Sequence, residues 1–157
     1  MISNVYLIGS GGNSNVIHEL CDILDINILG IFDDFKENVL GKIKDVNNNK
    51  YYNSSLIITM GHNRSKILNK INISKFNFPN LIHPNAYISP SAQIGHGNII
   101  YRNVILNTNV ILGDHNLINT SAIIEHDCKI GNTNSVAPNA TICGTCVIGS
   151  NNFIGAS

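Results

Sequence analysis

The sequence predicts two structural units, an α/β domain over residues 1–79 and a parallel β-helix over residues 80–157. In the first unit, short apolar runs alternate with segments of helical apolar spacing, which is typical of a small parallel sheet with helical crossovers. In the second unit, thirteen aliphatic residues follow one another at intervals of six, from Ile82 to Ile154. An interval this regular indicates a solenoid built from hexapeptides.

The α/β domain is predicted to hold three strands and two helices. Strands are expected over residues 5–8, 28–32 and 56–60, and helices over residues 15–24 and 64–71. Asn13 and Ser14 are expected to cap the first helix, because their side chains can accept hydrogen bonds from its free N–H groups. The asparagine-rich stretch 45–55 is expected to be an exposed loop.

A longer interval of eighteen residues overlies the interval of six. Glycine recurs at Gly95, Gly113, Gly131 and Gly149, and asparagine recurs at Asn98, Asn116, Asn134 and Asn152. Three hexapeptides per coil explain this interval, because each forms one side of a triangular prism and coils pair as parallel strands about 4.8 Å apart. We expect the glycines at a corner whose backbone conformation other residues resist, and the asparagines as an amide ladder between coils.

Composition and charge exclude several classes of function. Basic and acidic residues number ten each, so the net charge is zero, which argues against nucleic acid or a membrane surface as partner. No apolar run approaches the roughly 20 residues that a membrane-spanning helix needs. The N-terminus lacks the basic start of a secretory signal, so the four cysteines are expected to be reduced thiols in a cytoplasmic protein.

A glycine-rich turn follows the first predicted strand. Gly9, Gly11 and Gly12 leave backbone N–H groups open to a phosphate, although Ser14 stands where a full dinucleotide-binding motif has its third glycine. Asp33, at the end of the second strand, is placed to accept a hydrogen bond from a ribose hydroxyl. From these residues alone, NAD would suit the turn as well as another nucleotide.

Both halves together resemble the NeuD/PglD-type sugar acetyltransferases, which join a Rossmann-like domain to a left-handed parallel β-helix of hexapeptide repeats. The matching stretches are GSGGNSNVI at 9–17, FDDF at 32–35, MGHN at 60–63, LIHP at 81–84 and INTSAIIEHDC at 118–128. The resemblance implies acetyl transfer from acetyl-CoA to the amino group of a nucleotide-linked amino-dideoxy sugar in glycan synthesis. It also implies homotrimers with active sites between subunits, and family members usually continue for several coils beyond the length seen here.

The resemblance assigns roles to particular residues. It favours a UDP-sugar over NAD, at the residues Gly11, Gly12, Asn13, Asp33, Asp34 and Gly61. It implies that His126 is the general base of a direct transfer and that Asp127 supports it. Histidine suits this task because its pKa lies near neutrality, and the position of His126 two residues after an inward aliphatic predicts an outer face or turn. In the acetyl-CoA site, Gly144 is expected to donate its N–H to the oxyanion, beside Ser135 and Ala156.

Other functions remain open from the sequence. A sugar O-acetyltransferase of the sialic-acid type has the same architecture. A non-catalytic module that binds a sugar nucleotide is favoured by Ser135, which stands where relatives often carry a second histidine. In the first domain, Asn13 also stands where relatives often have histidine. No metal is expected, because residues 121 and 131 are serine and glycine where a zinc site of the β-helix carbonic anhydrases would need histidine.

Overall fold

The computed structural model describes residues 3–156, which divide into two compact units, Met1–Pro79 and Asn80–Ser157. The first unit is α/β and the second is a parallel β-helix of about four turns, so the prediction of a β-helix is confirmed. Within the described residues, every helix is too short or too polar to cross a membrane.

The first unit is built around a three-stranded parallel sheet with the strand order β2-β1-β3. Its elements are β1 (Asn4–Ile8), α1 (Gly12–Ile23), β2 (Asn27–Phe32), β3 (Leu56–Ile58) and α2 (Arg64–Leu68). Apolar side chains of the strands, among them Leu7, Ile8 and Phe32, have no solvent exposure and form the core of the unit. The carboxyl ends of all three strands meet at one edge of the sheet, where the glycine-rich turn begins α1.

The start of α1 differs from the prediction. The helix begins at Gly12, and Gly11 is its N-cap residue with an extended backbone and no side-chain cap. The side chain of Asn13 instead donates to the Thr59 carbonyl oxygen at 2.6 Å. The Ser14 side chain is buried, so the expected cap by Asn13 and Ser14 is wrong. The glycine-rich turn thus leads directly into the helix, and glycine is itself a favoured N-cap residue.

Residues 45–55 are more ordered than expected. Two 3-10 helices, Ile43–Asn47 and Asn49–Tyr51, occupy most of this stretch. Val46 is fully buried and Tyr51 packs edge-on against Phe32 with ring centroids 5.1 Å apart. The expectation of an exposed loop is therefore wrong for this segment, because its few apolar residues pack into the core although asparagines surround them in sequence.

The second unit winds through three flat faces, each made of two-residue strands that pair in parallel between coils. Face 1 holds β4 (Leu81–Ile82), β7 (Ile99–Ile100), β10 (Leu117–Ile118), β13 (Ser135–Val136) and β16 (Phe153–Ile154). Face 2 holds β5 (Tyr87–Ile88), β8 (Ile105–Leu106), β11 (Ile123–Ile124) and β14 (Thr141–Ile142). Face 3 holds β6 (Gln93–Ile94), β9 (Ile111–Leu112), β12 (Lys129–Ile130) and β15 (Val147–Ile148).

Paired residues on neighbouring coils are always eighteen apart, as between Ile118 and Val136. The repeating aliphatics point inward and form one continuous apolar core. Asparagine side chains in the same interior form hydrogen bonds from coil to coil, so the predicted asparagine ladder is confirmed. The Asn116 side-chain oxygen accepts from the Asn134 backbone N–H at 2.8 Å, and the Asn98 oxygen accepts from the Asn116 backbone N–H at the same distance. Buried amides thus satisfy buried backbone donors between coils.

The left-handed backbone positions of the β-helix lie elsewhere than predicted. They recur every six residues and include few glycines: Gly97, Asn103, Asn109, His115, Ser121, Asp127, Thr133, Asn139, Thr145 and Asn151. The glycines at intervals of eighteen do not have a left-handed φ. A Cβ on Gly113 would instead lie 2.8 Å from the Gly131 carbonyl oxygen of the next coil. Gly95, Gly113 and Gly131 are needed because neighbouring coils approach closely at this corner, whereas a Cβ on Gly149 would meet no atom closer than 4.0 Å.

Candidate active site

His126 and Asp127 lie at the corner where the chain passes from β11 on face 2 to β12 on face 3. Asp127 occupies the left-handed position of this corner with a φ of 59°, a conformation that aspartate tolerates better than most residues. The corner holds both side chains outside the apolar core, and 57% of the His126 side chain and 49% of the Asp127 side chain are exposed. The predicted location of His126 on the outer surface is confirmed.

A hydrogen bond of 2.8 Å joins His126 Nδ1 to Asp127 Oδ2. An ionised carboxylate can only accept, so Nδ1 carries the proton and Nε2 of the neutral imidazole keeps its lone pair. A polar contact this exposed contributes little to folding stability. Its effect is to orient the ring and select the tautomer in which Nε2 can take a proton.

Asp127 is itself held by the preceding coil. The Asn109 side-chain amide donates to Asp127 Oδ1 at 3.0 Å. The hydrogen bond from Asn109, and after it the one from His126, keeps the pKa of Asp127 below its ordinary value. Both carboxylate oxygens therefore accept a hydrogen bond from a side-chain donor.

Gly144 lies eighteen residues after His126, directly beside the imidazole on the next coil. A Cβ on Gly144 would lie 2.7 Å from His126 Nε2 and 2.8 Å from Cε1. The absence of a side chain therefore leaves the space in which the imidazole sits. In the described part of the chain, the backbone N–H of Gly144 makes no hydrogen bond, so it is available to an oxygen of a bound molecule.

The three residues predicted for the acetyl-CoA site are not brought together within one chain. Gly144 is at the corner between faces 2 and 3, whereas Ala156 follows β16 of face 1 and is exposed. Ser135 lies within face 1 and is only 6% exposed. Of the three, Gly144 alone shares a corner with His126.

In the first unit, Asp33 connects the glycine-rich turn to the chain after β2. Its Oδ2 accepts from the Ser10 N–H at 2.7 Å, and its Oδ1 accepts from the N–H groups of Phe35 and Lys36 at 2.8 and 3.0 Å. Asp33 is 9% exposed, so both of its oxygens are engaged within the fold. The structure thus gives Asp33 a role in shaping the turn, a role that its position at the strand end did not reveal.

Asp34 is also engaged within the fold. Its carboxylate accepts from the Ile43 N–H at 3.0 Å and pairs with the Lys70 ammonium, and its carbonyl oxygen accepts from the Lys42 ammonium. The hydrogen bond from Lys70 lowers the pKa of Asp34 below its ordinary value. Asp34 therefore helps to fix the loop that follows β2.

The remaining predicted residues of this unit surround the carboxyl edge of the sheet. Gly11 and Gly12 are exposed, and a Cβ on either would meet nothing within 4 Å, so the turn is open to solvent. Gly61 follows the end of β3 at the same edge. Arg64 nearby is 1% exposed, and its guanidinium donates to the carbonyl oxygens of Ile58 and Met60 at 2.9 Å each. Sequence inspection did not single out this buried charge.

Possible metal ligands are scattered in the structure. Among residues 3–156, no three histidine, cysteine or acidic side chains come together in a way that could hold a metal ion. His96 and Asp114 form a second pair at another corner, with 3.9 Å between Nδ1 and Oδ1.

The first unit is similar to a known protein domain. Residues 4–71 match the model of the PglD N-terminal domain. Over 108 residues the chain is 32% identical to UDP-N-acetylbacillosamine N-acetyltransferase of Bacillus subtilis (strain 168), covering 61% of this chain and 50% of that protein. It is 34% identical over 100 residues to the uncharacterized protein L142 of Acanthamoeba polyphaga mimivirus, covering 59% of this chain and 20% of that protein. The chain thus spans half or less of the length of these relatives.

Solved structures share the fold of the whole chain. PerB from Caulobacter crescentus, in complex with CoA and GDP-perosamine, aligns with a TM-score of 0.73 and 25% identity, over 100% of this chain and 91% of PerB. The acetyltransferase domain of PglB from Neisseria gonorrhoeae FA1090, in complex with acetyl coenzyme A, aligns with a TM-score of 0.76 and 23% identity, over 99% of this chain and 89% of that domain.

The chain shares its β-helix architecture with these solved acetyltransferases. Together with the match of residues 4–71 to the PglD N-terminal domain, this architecture makes the chain similar to sugar acetyltransferases of the NeuD/PglD type. The resemblance predicted from the sequence is confirmed.

Proposed function

We propose that this protein transfers the acetyl group of acetyl-CoA to the amino group of a nucleotide-linked amino sugar, as a cytoplasmic step of glycan synthesis. The observation that carries the proposal is the His126–Asp127 pair. The hydrogen bond at Nδ1 leaves Nε2 free to act as a base, and Gly144 beside it has no side chain to fill the space. The named relatives support the substrate class, because the Bacillus protein is an N-acetyltransferase of a UDP-linked sugar and PerB was solved with CoA and GDP-perosamine.

The reaction needs one proton acceptor and one stabiliser of negative charge. As the amine nitrogen attacks the thioester carbon, His126 Nε2 removes a proton from the nitrogen. The carbonyl oxygen becomes an oxyanion, for which the free N–H of Gly144 is a donor. Breaking the carbon–sulfur bond then releases the CoA thiolate, which takes the proton from the imidazolium and yields the amide and free CoA. Asp127 stabilises the imidazolium in between.

The first unit is the proposed binding site of the nucleotide, as a Rossmann-like domain. Its sheet order β2-β1-β3 and its open turn before α1 support this role, since free N–H groups at a helix N-terminus bind phosphate. Gly11, Gly12, Asn13 and Gly61 are the proposed contacts. Asp33 and Asp34 shape the loop beside them, and any contact with the ribose adds to the hydrogen bonds that they already accept.

A left-handed β-helix assembled as a homotrimer would complete the acetyl-CoA site. Gly144 and Ala156 lie at different corners of one chain, which supports a site built from two copies. A second copy packed corner to face could supply the missing part. Sedimentation or light scattering of the purified protein tests this proposal, and a monomer that turns over substrate would contradict it.

Thiol release from acetyl-CoA tests the proposed reaction. The purified protein is incubated with UDP- and GDP-linked amino sugars, with the matching hydroxyl sugars as controls, and product is identified by mass spectrometry. Hydroxylamine cleaves an acetyl ester and leaves an amide intact, which separates N- from O-acetylation. His126→Asn is expected to lower kcat/KM by about 100-fold or more, the usual contribution of a general base. Full activity of this variant would refute the assignment of the base.

One observation favours a second candidate function, a non-catalytic module that binds a sugar nucleotide. Ser135 is buried in face 1, so it does not substitute for a second histidine at the surface. Under this alternative, calorimetry would detect a nucleotide sugar bound to the first unit, while acetyl-CoA would release no thiol with any of the amino sugars.

A further inference from the structure

The two carboxylates that flank His126 in sequence are both held by asparagines of the preceding coil. Asn107 Nδ2 donates to Glu125 Oε2, and Asn109 Nδ2 donates to Asp127 Oδ1, each at 3.0 Å. Both pairs are eighteen residues apart, as in-register neighbours on adjacent coils are. Of the two carboxylates, only Asp127 is hydrogen-bonded to the imidazole, so only the contact from Asn109 can affect the orientation of His126.

We propose that Asn109 is a positioning residue for the reaction, acting through Asp127 to keep the proton of His126 on Nδ1 and the lone pair on Nε2. The inference rests on the proposed function, because it assumes that Nε2 is the base. The geometry that carries it is a continuous chain of two hydrogen bonds, 3.0 Å from Asn109 to Asp127 and 2.8 Å from Asp127 to His126.

The exposure of the pair makes this support necessary. Half of the Asp127 side chain is in contact with solvent, so packing alone does not fix its χ angles. A carboxylate that rotates away releases Nδ1, and the imidazole is then free to adopt the other neutral tautomer, in which Nε2 carries the proton and cannot accept another. The amide of Asn109 engages the second oxygen and so restrains the rotation of the carboxylate. The lowered pKa of Asp127, to which this amide contributes most, agrees with a well-formed bond.

The backbone of Asn109 decides which substitutions are informative. Its φ of 57° lies in the left-handed region, so glycine removes the amide without backbone strain. Asparagine at 103 occupies an equivalent corner of the same coil with a φ of 58°, and Asn103→Gly is the matched control for the backbone change. Asn107→Ala is the control for losing an asparagine–carboxylate bond that does not reach His126.

An isosteric variant separates positioning from packing. Asn109→Asp keeps the size of the side chain and tolerates the left-handed backbone, but it places a carboxylate where Asp127 needs a donor. If Asn109 only filled space, this variant would behave like the wild type. If it positions Asp127, Asn109→Asp is expected to be at least as impaired as Asn109→Gly at neutral pH.

Two measurements test the proposal. The first is kcat/KM, which is expected to fall roughly tenfold in Asn109→Gly, mainly through kcat. The magnitude is taken from metal-bound histidines, where loss of an orienting partner costs about 10- to 100-fold. Asn103→Gly and Asn107→Ala are expected to stay within about twofold of wild type. The second is the ¹⁵N NMR spectrum of the imidazoles, with the His126 signals assigned by their absence in His126→Asn.

The NMR measurement needs no substrate, so it distinguishes failure of this inference from failure of the proposed function. Wild type and both controls are expected to show the Nδ1–H tautomer at His126, and Asn109→Gly a clear gain of the Nε2–H tautomer. If the tautomer of Asn109→Gly equals that of the wild type, the proposal is overturned. If the tautomer shifts and no amino sugar is acetylated, the positioning role stands and the proposed reaction is wrong.

Discussion

Replacing Gly144 by alanine tests the geometry of the candidate active site most directly. The added Cβ would lie 2.7 Å from His126 Nε2, 2.8 Å from Cε1 and 3.2 Å from Cδ2. The ring must therefore retreat by about 0.7 Å before Nε2 reaches an ordinary contact of 3.4 Å. Gly144 does not have a left-handed φ, so alanine causes no backbone strain of its own.

The two consequences of this change differ in size. Since 57% of the imidazole is exposed, it can swing outward, and the free energy of unfolding should fall by less than about 1 kcal/mol, below the roughly 1–3 kcal/mol typical of an overpacked core. Catalysis is more sensitive, because a misplacement of about 1 Å can lower a rate roughly 100-fold. We expect kcat/KM to fall by about 30- to 100-fold, measured as thiol release from acetyl-CoA, while the chemical denaturation curve barely moves.

Two other glycines provide matched controls. In Gly149→Ala the nearest contact of the new Cβ would be Asn152 Nδ2 at 4.0 Å, so activity and stability should both be retained. In Gly131→Ala the Cβ would lie 2.8 Å from the backbone of Gly149, which cannot swing away, so stability should fall by roughly 1–3 kcal/mol. A Gly144→Ala variant with wild-type kcat/KM would show that the observed position of His126 is not the one in which it reacts.

Two further predictions concern stability. Asn116→Ala removes a buried acceptor and leaves the Asn134 backbone N–H without a partner, so urea denaturation should show a loss of about 1–3 kcal/mol in the free energy of unfolding. A loss below roughly 0.5 kcal/mol would contradict the ladder. The pKa of Asp34 is lowered in the folded state, chiefly by the hydrogen bond from Lys70. Its contribution to folding stability is therefore present above the ordinary pKa of 3.8 and is lost as pH falls through the pKa of the folded state. Compared with Asp34→Asn, the wild type should therefore lose more stability between pH 6 and pH 3 in thermal melts, and parallel pH profiles of the two proteins would refute this.

Much of the fold could be predicted because it depends on patterns along the chain. Aliphatics at intervals of six predicted the β-helix, and the position of His126 two residues after Ile124 predicted an exposed corner. The start of α1 could not be predicted in the same way. Ser14 and Asn13 have good capping side chains, but the structure buries the first and turns the second towards the Thr59 carbonyl oxygen.

The contacts that surround the candidate base were missed by sequence inspection, although a signal for them was present. Asn109, Asp127 and Thr145 share one column of corners, as do His126 and Gly144, because residues eighteen apart stack on adjacent coils. The same interval predicted the asparagine ladder in the core. Applied to the exposed corners, this interval would have paired Asn109 with Asp127. It would not have predicted the direction in which either side chain points.

The sequence by itself determined the solenoid, its interval, its inner core and the presence of one histidine–aspartate pair on its surface. These properties follow from the order of residue types along the chain, because each hexapeptide must bury its own aliphatic side chain. Only the tertiary structure decided that Asp33 bridges two loops, that Asn109 restrains Asp127, and that Gly144 makes room for the imidazole. Such contacts depend on register and side-chain direction between distant segments, and a single chain's pattern does not specify them.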